Sequence, residues 1–129
     1  MNEWYATLIK PNWAPPSWLF GPVWTVLYVV IAVSFTYVGY LYVKGQIPFV
    51  VLLPFLLNLF FNFIFTPIQF GLQSNELALL DILLVLGTLV WALYAIFPYA
   101  SLVTYANLPY LIWVAFATVL QATITYLNF

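Results

Sequence analysis

Trp13-Ala14-Pro15-Pro16-Ser17-Trp18-Leu19-Phe20-Gly21-Pro22-Val23-Trp24-Thr25-Val26-Leu27-Tyr28 joins a proline-stiffened, tryptophan-rich loop directly to a long apolar run. Proline fixes φ and carries no N–H. Pro15-Pro16 therefore predicts an extended connection, and Pro22 suits the first turn of a helix beginning near Gly21. Trp24 then falls within the first turn or two of that helix. A rigid aromatic loop feeding an apolar helix is what a chain needs where it enters a bilayer.

The rest of the composition agrees. Of 129 residues, 67% are hydrophobic and only 4% are charged, against about a quarter charged in soluble domains. A soluble fold of this size leaves too much surface exposed to hide so much apolar area, so lipid must be the solvent for most of it. Cysteine and histidine are absent. That removes thiol nucleophiles, disulfides, the usual zinc sites and the imidazole base. It also leaves only Met1 and the tyrosines as axial ligands for haem iron. No metal and no cofactor are expected. A net charge of -1 provides no basic patch for nucleic acid.

Spanning helices need about 20 mostly apolar residues. Four stretches qualify, at about 21–43, 48–70, 77–97 and 104–127, separated by short breaks. The expected fold is all-α: one domain over residues 1–129, an integral membrane bundle of four transmembrane helices. Residues 1–20 precede it as a Trp/Pro-rich interfacial loop. Trp4, Tyr5, Trp13 and Trp18 suit an interfacial aromatic belt. No basic region opens the chain as a signal peptide would require. Lys10 and Lys44 fall on opposite sides of four spans, so charge does not orient them.

Polar groups inside a bilayer are costly, and each is a candidate site. Asn58 and Asn62 are four apart and share a helix face, where they serve as interhelical glue or as ligand-orienting amides. Asp81, near the start of the third span, either favours the positive helix end and snorkels to the headgroups or acts as a proton-coupling acid. On the fourth span, Ala115, Thr118, Ala122 and Thr125 form a stripe of small residues suited to close helix approach. Trp113, Ala117 and Gln121 form a neighbouring face, read either as packing or as one wall of a slot for a flat ligand.

The chain resembles the TspO/MBR family of tryptophan-rich sensory and translocator proteins. The likeness runs from Glu3 to Asn128. It is carried by Trp4-Tyr5, Lys10-Pro11, Trp13-Ala14-Pro15-Pro16 and Phe20-Gly21-Pro22-Val23-Trp24-Thr25 through Tyr28. Further matches are Asn58-Leu59-Phe60-Phe61-Asn62, Gln69-Phe70, Ala78-Leu79, Asp81-Ile82, Pro109 to Trp113, Phe116-Ala117 and Leu127-Asn128. The resemblance implies a bundle of five helices, often dimeric, that binds porphyrins such as protoporphyrin IX, or sterol-like molecules, beneath the first long loop. It implies pocket residues Trp24, Tyr28, Asn62, Phe65, Trp113 and Ala117, with Trp13 and Trp18 as a lid. Lys10 is the loop-side cation for porphyrin carboxylates. Asn58 and Gln121 pack helices or orient the ligand.

Relative to that pattern, the helix before the first loop is missing, Phe65 stands where many relatives have Trp, Asn58 where many have Gln, and Gln121 where many have Asn. One pocket wall is then open to lipid or supplied by a second copy in a homodimer. The expected location is a prokaryotic cell membrane. The leading expectation is a receptor or sensor that transports or sequesters its ligand. The alternatives are a proton-coupled exporter working as a four-helix dimer through Asp81, and light-dependent porphyrin degradation assisted by tryptophan.

Overall fold

The computed structural model describes residues 7–15 and 17–128. Trp4 and Tyr5, assigned to the interfacial belt, lie outside the described residues, as does Pro16. The described chain consists of helices joined by turns and loops: α1 (Ser17–Val43), α2 (Phe49–Thr66), a π-helical turn (Pro67–Gly71), α3 (Asn75–Ile96), the short α4 (Ser101–Ala106) and α5 (Leu108–Leu127).

Each long helix buries one stripe. On α1 the buried positions include Leu27, Ile31, Ser34, Val38 and Leu41, and on α2 they include Val51, Phe55, Asn58 and Asn62. On α3 they include Asn75, Ala78, Ile82, Val85, Leu89, Ala92 and Ile96, and on α5 Tyr110, Val114, Gln121 and Ile124. Spacings alternating between three and four residues keep such a stripe on one face of closely aligned helices. α3 is the central element and packs against both α2 and α5. α1 closes the side of the bundle with fewer backbone approaches. Lipid tails are as apolar as the side chains, so close packing and interhelical hydrogen bonds, rather than the hydrophobic effect, hold these faces together.

The turns follow local chemistry. Gly45 adopts φ 73°, the left-handed conformation that glycine reaches without steric cost. Its N–H donates to Tyr42 O at 2.9 Å and Gln46 N–H donates to Leu41 O at 2.9 Å, the paired bonds that close a helix C-terminus. At the start of α3, Ser74 Oγ accepts from Leu77 N–H at 3.2 Å, an N-cap contact.

The helix boundaries correct the sequence reading in three places. α1 begins at Ser17, four residues earlier than expected, so Pro22 sits inside the helix rather than in its first turn. The expected run 48–70 is not one α-helix: α2 ends at Thr66 and passes into the π-helical turn at Pro67, where proline removes the next donor. The run 104–127 is divided. α4 ends at Ala106, and α5 starts afresh at Leu108 with Pro109 in its first turn. Asn107 forms the joint, its Nδ2 donating to Val103 O at 2.9 Å and to Ser34 Oγ of α1 at 2.9 Å.

Three helices, Trp18–Val43, Asn75–Ile96 and Leu108–Leu127, are long and apolar enough to cross a membrane, and Phe49–Phe65 is apolar but shorter. At about 1.5 Å per residue, the 18 residues of α2 fall just short of a hydrocarbon core of about 30 Å.

A candidate intramembrane ligand site

A chain of hydrogen bonds crosses the centre of the bundle. The Tyr28 hydroxyl of α1 donates to Asn62 Oδ1 at 3.2 Å. Asn62 Nδ2 donates to the Tyr110 hydroxyl at 2.7 Å, which donates in turn to Asn58 Oδ1 at 2.8 Å. Asn58 Nδ2 then donates to Val85 O at 2.9 Å and to Thr88 Oγ1 at 3.2 Å. Thr88 ends the chain on its own helix, donating to Leu84 O at 2.8 Å. Four helices are thereby tied through five side chains. Asn58 spends its carbonyl and both amide hydrogens, as a buried amide in hydrocarbon must. It is helix glue, while Asn62 reaches the half-open Tyr28 and faces the site.

Rings gather on the loop side of this belt. Trp24 lies 5.4 Å from Tyr28 and 6.3 Å, edge to face, from Tyr110. Trp113 meets Phe20 at 5.8 Å and Phe116 at 5.7 Å, and Trp13 of the loop meets Phe116 edge-on at 5.9 Å. Phe65, Trp113 and Ala117 are partly buried against the main core. The structure therefore brings Trp24, Tyr28 and Asn62 together around Tyr110, and Trp13 together with Trp113 through Phe116. Trp18 points elsewhere and is 71% exposed. Lys10 Nζ turns back to Leu8 O at 3.2 Å within the loop.

Among the described residues three polar atoms are buried without a partner: Asn107 Oδ1 at the joint between α4 and α5 and, within the long helices, the Trp113 indole N–H and Asp81 Oδ2. A buried polar group left unpaired costs roughly 1–3 kcal/mol, so the latter two are natural contact points for a ligand or a proton. Asp81 is only 3% exposed. It does not snorkel to the headgroups, because it occupies the buried stripe of α3 beside Ala78, Ile82 and Val85. The Gln121 amide nitrogen is engaged in packing, donating to Asn75 Oδ1 at 3.3 Å and to Thr125 Oγ1 at 3.2 Å. It ties α5 to the start of α3. The small-residue stripe is corrected as well: Ala115 and Ala122 face outward, and Thr125 alone of the four is buried.

An apolar groove of about 430 Å³ runs between α1 and α2, lined by Tyr28, Ile31, Ala32, Phe35, Thr36, Leu59 and Phe63. That volume lies within the range of small-molecule sites, about 300–1,000 Å³. Tyr28 belongs to both the groove and the hydrogen-bonded belt. Sequence reasoning missed Tyr110, Phe20 and Phe116 as site residues. For Tyr110 a signal existed, since a tyrosine well inside an apolar span needs a partner for its hydroxyl.

A multi-pass helical membrane protein with an aromatic, amide-ordered interior is the class these features define. The chain belongs to the TspO/MBR family, whose model matches residues 1–127. It is 36% identical over 126 residues to the tryptophan-rich protein TspO of Chlorobaculum tepidum, covering 97% of this chain and 79% of that one. It is 39% identical over 129 residues to the human translocator protein, covering 92% of this chain and 71% of the relative. The tryptophan-rich sensory protein of Cereibacter sphaeroides is 33% identical over 130 residues, covering 98% and 78%. The protein is an integral, multi-pass membrane protein.

Proposed function

We propose that the protein is a membrane receptor or sensor for a flat, largely apolar ligand of the porphyrin or sterol type, which it transports or sequesters. The observation that carries this reading is a pair of ring groups, Trp24 with Tyr28 and Tyr110, and Trp113 with Phe20 and Phe116, with the Trp113 N–H unpaired in the second. Ring faces stack on a flat ligand, and a few convergent polar groups orient it. Asn62 and Tyr28 supply such groups on one side and the Trp113 donor supplies one on the other, so the ligand carries a hydrogen-bond acceptor there. The groove between α1 and α2 is a lateral entrance from the bilayer, ending at Tyr28. The names of relatives, sensory protein and translocator protein, support the sensing and transport parts of this reading.

In this reading α2 and its π-helical turn make a fourth membrane crossing, and a second copy in a homodimer covers the groove. The test is a protoporphyrin IX titration in detergent followed by tryptophan emission and by an independent binding assay. Wild type is compared with Trp24→Phe/Trp113→Phe. Saturable binding that weakens in the variant supports the site; linear, non-saturating quenching in both proteins overturns it.

A second reading, proton-coupled export, draws on the buried and unpartnered Asp81 Oδ2. It requires Asp81→Asn to abolish transport in vesicles while leaving ligand binding in place. Transport that survives this substitution ends that reading.

A further inference from the structure

The loop of residues 7–15 rests on α5 through a small core of its own. Leu120 and Ile124 are buried beneath Leu8, Ala14, Phe20 and Phe116, separately from the main core of the bundle. Trp13 adds its edge-on contact with Phe116. Within the loop, Ala14 N–H donates to Pro11 O at 3.0 Å. This patch is slight, and by itself gives the loop little to hold it.

Asn128, at the end of α5, provides the fastening. Its Oδ1 accepts from Ile9 N–H at 3.0 Å and its Nδ2 donates to Ile9 O at 2.8 Å. The side-chain amide thus pairs with the Ile9 backbone as a neighbouring peptide would. The second Nδ2 hydrogen goes to Ile124 O at 2.8 Å, the same carbonyl that accepts the Asn128 backbone N–H at 3.1 Å. One amide therefore ties the end of the helix to the loop. Only an amide of this length does so. A carboxylate keeps the acceptor but loses both donors and sets its oxygen against two carbonyls.

We propose that Asn128 is a positioning residue, a latch that holds the residue 7–15 loop over the aromatic site and sets how fast a ligand exchanges there. The gating half of this inference rests on the ligand reading above; the fastening half does not. The latch joins exposed backbone at Ile9 to a helix end, outside the bundle core. It can therefore open without disturbing the hydrogen-bonded belt.

The test exploits a chain without cysteine. A nitroxide on Asn12→Cys reports loop mobility in full-length protein in nanodiscs, with Asn128 intact, Asn128→Ala or Asn128→Asp. Protoporphyrin IX release is timed by stopped flow in the unlabelled counterparts. Both substitutions are expected to mobilise the label and to speed release about tenfold, the loss of two ordinary hydrogen bonds. Ile9→Cys/Asn128→Cys replaces the latch by a disulfide between residues in direct contact. Its oxidised form is expected to slow release and its reduced form to resemble Asn128→Ala, which separates latch loss from misfolding.

A label as immobile in Asn128→Ala as in wild type overturns the latch, whatever the ligand. A mobilised loop with unchanged release overturns its gating role. Wild-type protein that takes up no protoporphyrin overturns the ligand reading and gating together, and label mobility then decides the fastening alone.

Discussion

The centre of the bundle and its loop side use polar groups in opposite ways. At the centre, Tyr28, Asn62, Tyr110, Asn58 and Thr88 form a continuous donor-to-acceptor chain across four helices. On the loop side, the Trp113 N–H is buried without a partner, and the contacts include ring edges and the Asn128 amide bonded to the Ile9 backbone. A satisfied network fixes helix positions, because shifting any member orphans its neighbours in a medium with no water. A site with an unpaired donor is less stable alone and gains when a ligand supplies the missing acceptor. The first region is built to hold the helices, and the second is the part that the proposed function assigns to the ligand.

Substitutions that remove a link from the centre should have the largest effect on stability. Asn58→Leu strands the Tyr110 hydroxyl and is expected to cost about 2–3 kcal/mol, measured by unfolding in mixed micelles. Tyr110→Phe orphans Asn58 Oδ1 and one hydrogen of Asn62, and an expected loss of about 2 kcal/mol follows. If either variant proves as stable as wild type, the belt is not what holds the helices.

Asp81→Leu removes a buried oxygen that has no donor and replaces it with an apolar group of similar volume. A gain of about 1 kcal/mol is expected in the same assay. A marked loss would mean that the carboxyl has a structural partner. Trp113→Phe breaks no hydrogen bond; the lost ring volume costs stability while removal of the unpaired N–H returns part of it. A net change of less than about 1 kcal/mol is therefore expected, together with protoporphyrin binding weakened about tenfold in equilibrium titration. Equal effects on both quantities would erase the distinction between the two regions. The smallest expected effect is at Trp18, 71% exposed: Trp18→Phe should leave stability within about 0.5 kcal/mol and binding unchanged. Weakened binding there would restore Trp18 to the lid.

Much of this was legible in the chain. Asn58 and Asn62, four residues apart in an otherwise apolar span, had to share a face and find partners, and they do. Trp24 and Trp113 stood out as large rings near the starts of their spans, and each meets other rings in the structure. The buried face of α5 was misread from its small residues, for a reason specific to membranes. In water an amphipathic stripe separates inside from outside, but here both faces of α5 are apolar. Ala115 and Ala122 are exposed on the outside of the bundle, while Tyr110 and Gln121 turn inward.

The sequence by itself determined the solvent, the helical class and the family: so few charges and apolar runs too long for barrel strands leave helices in lipid as the way to satisfy the backbone. The tertiary structure alone decided which polar atoms meet. Tyr110 lies 52 residues from Asn58, and Ile9 lies 119 from Asn128. Hydropathy carries no record of such pairings. They exist only once helix packing has brought the buried stripes into register, and hydrogen bonds act only at contact.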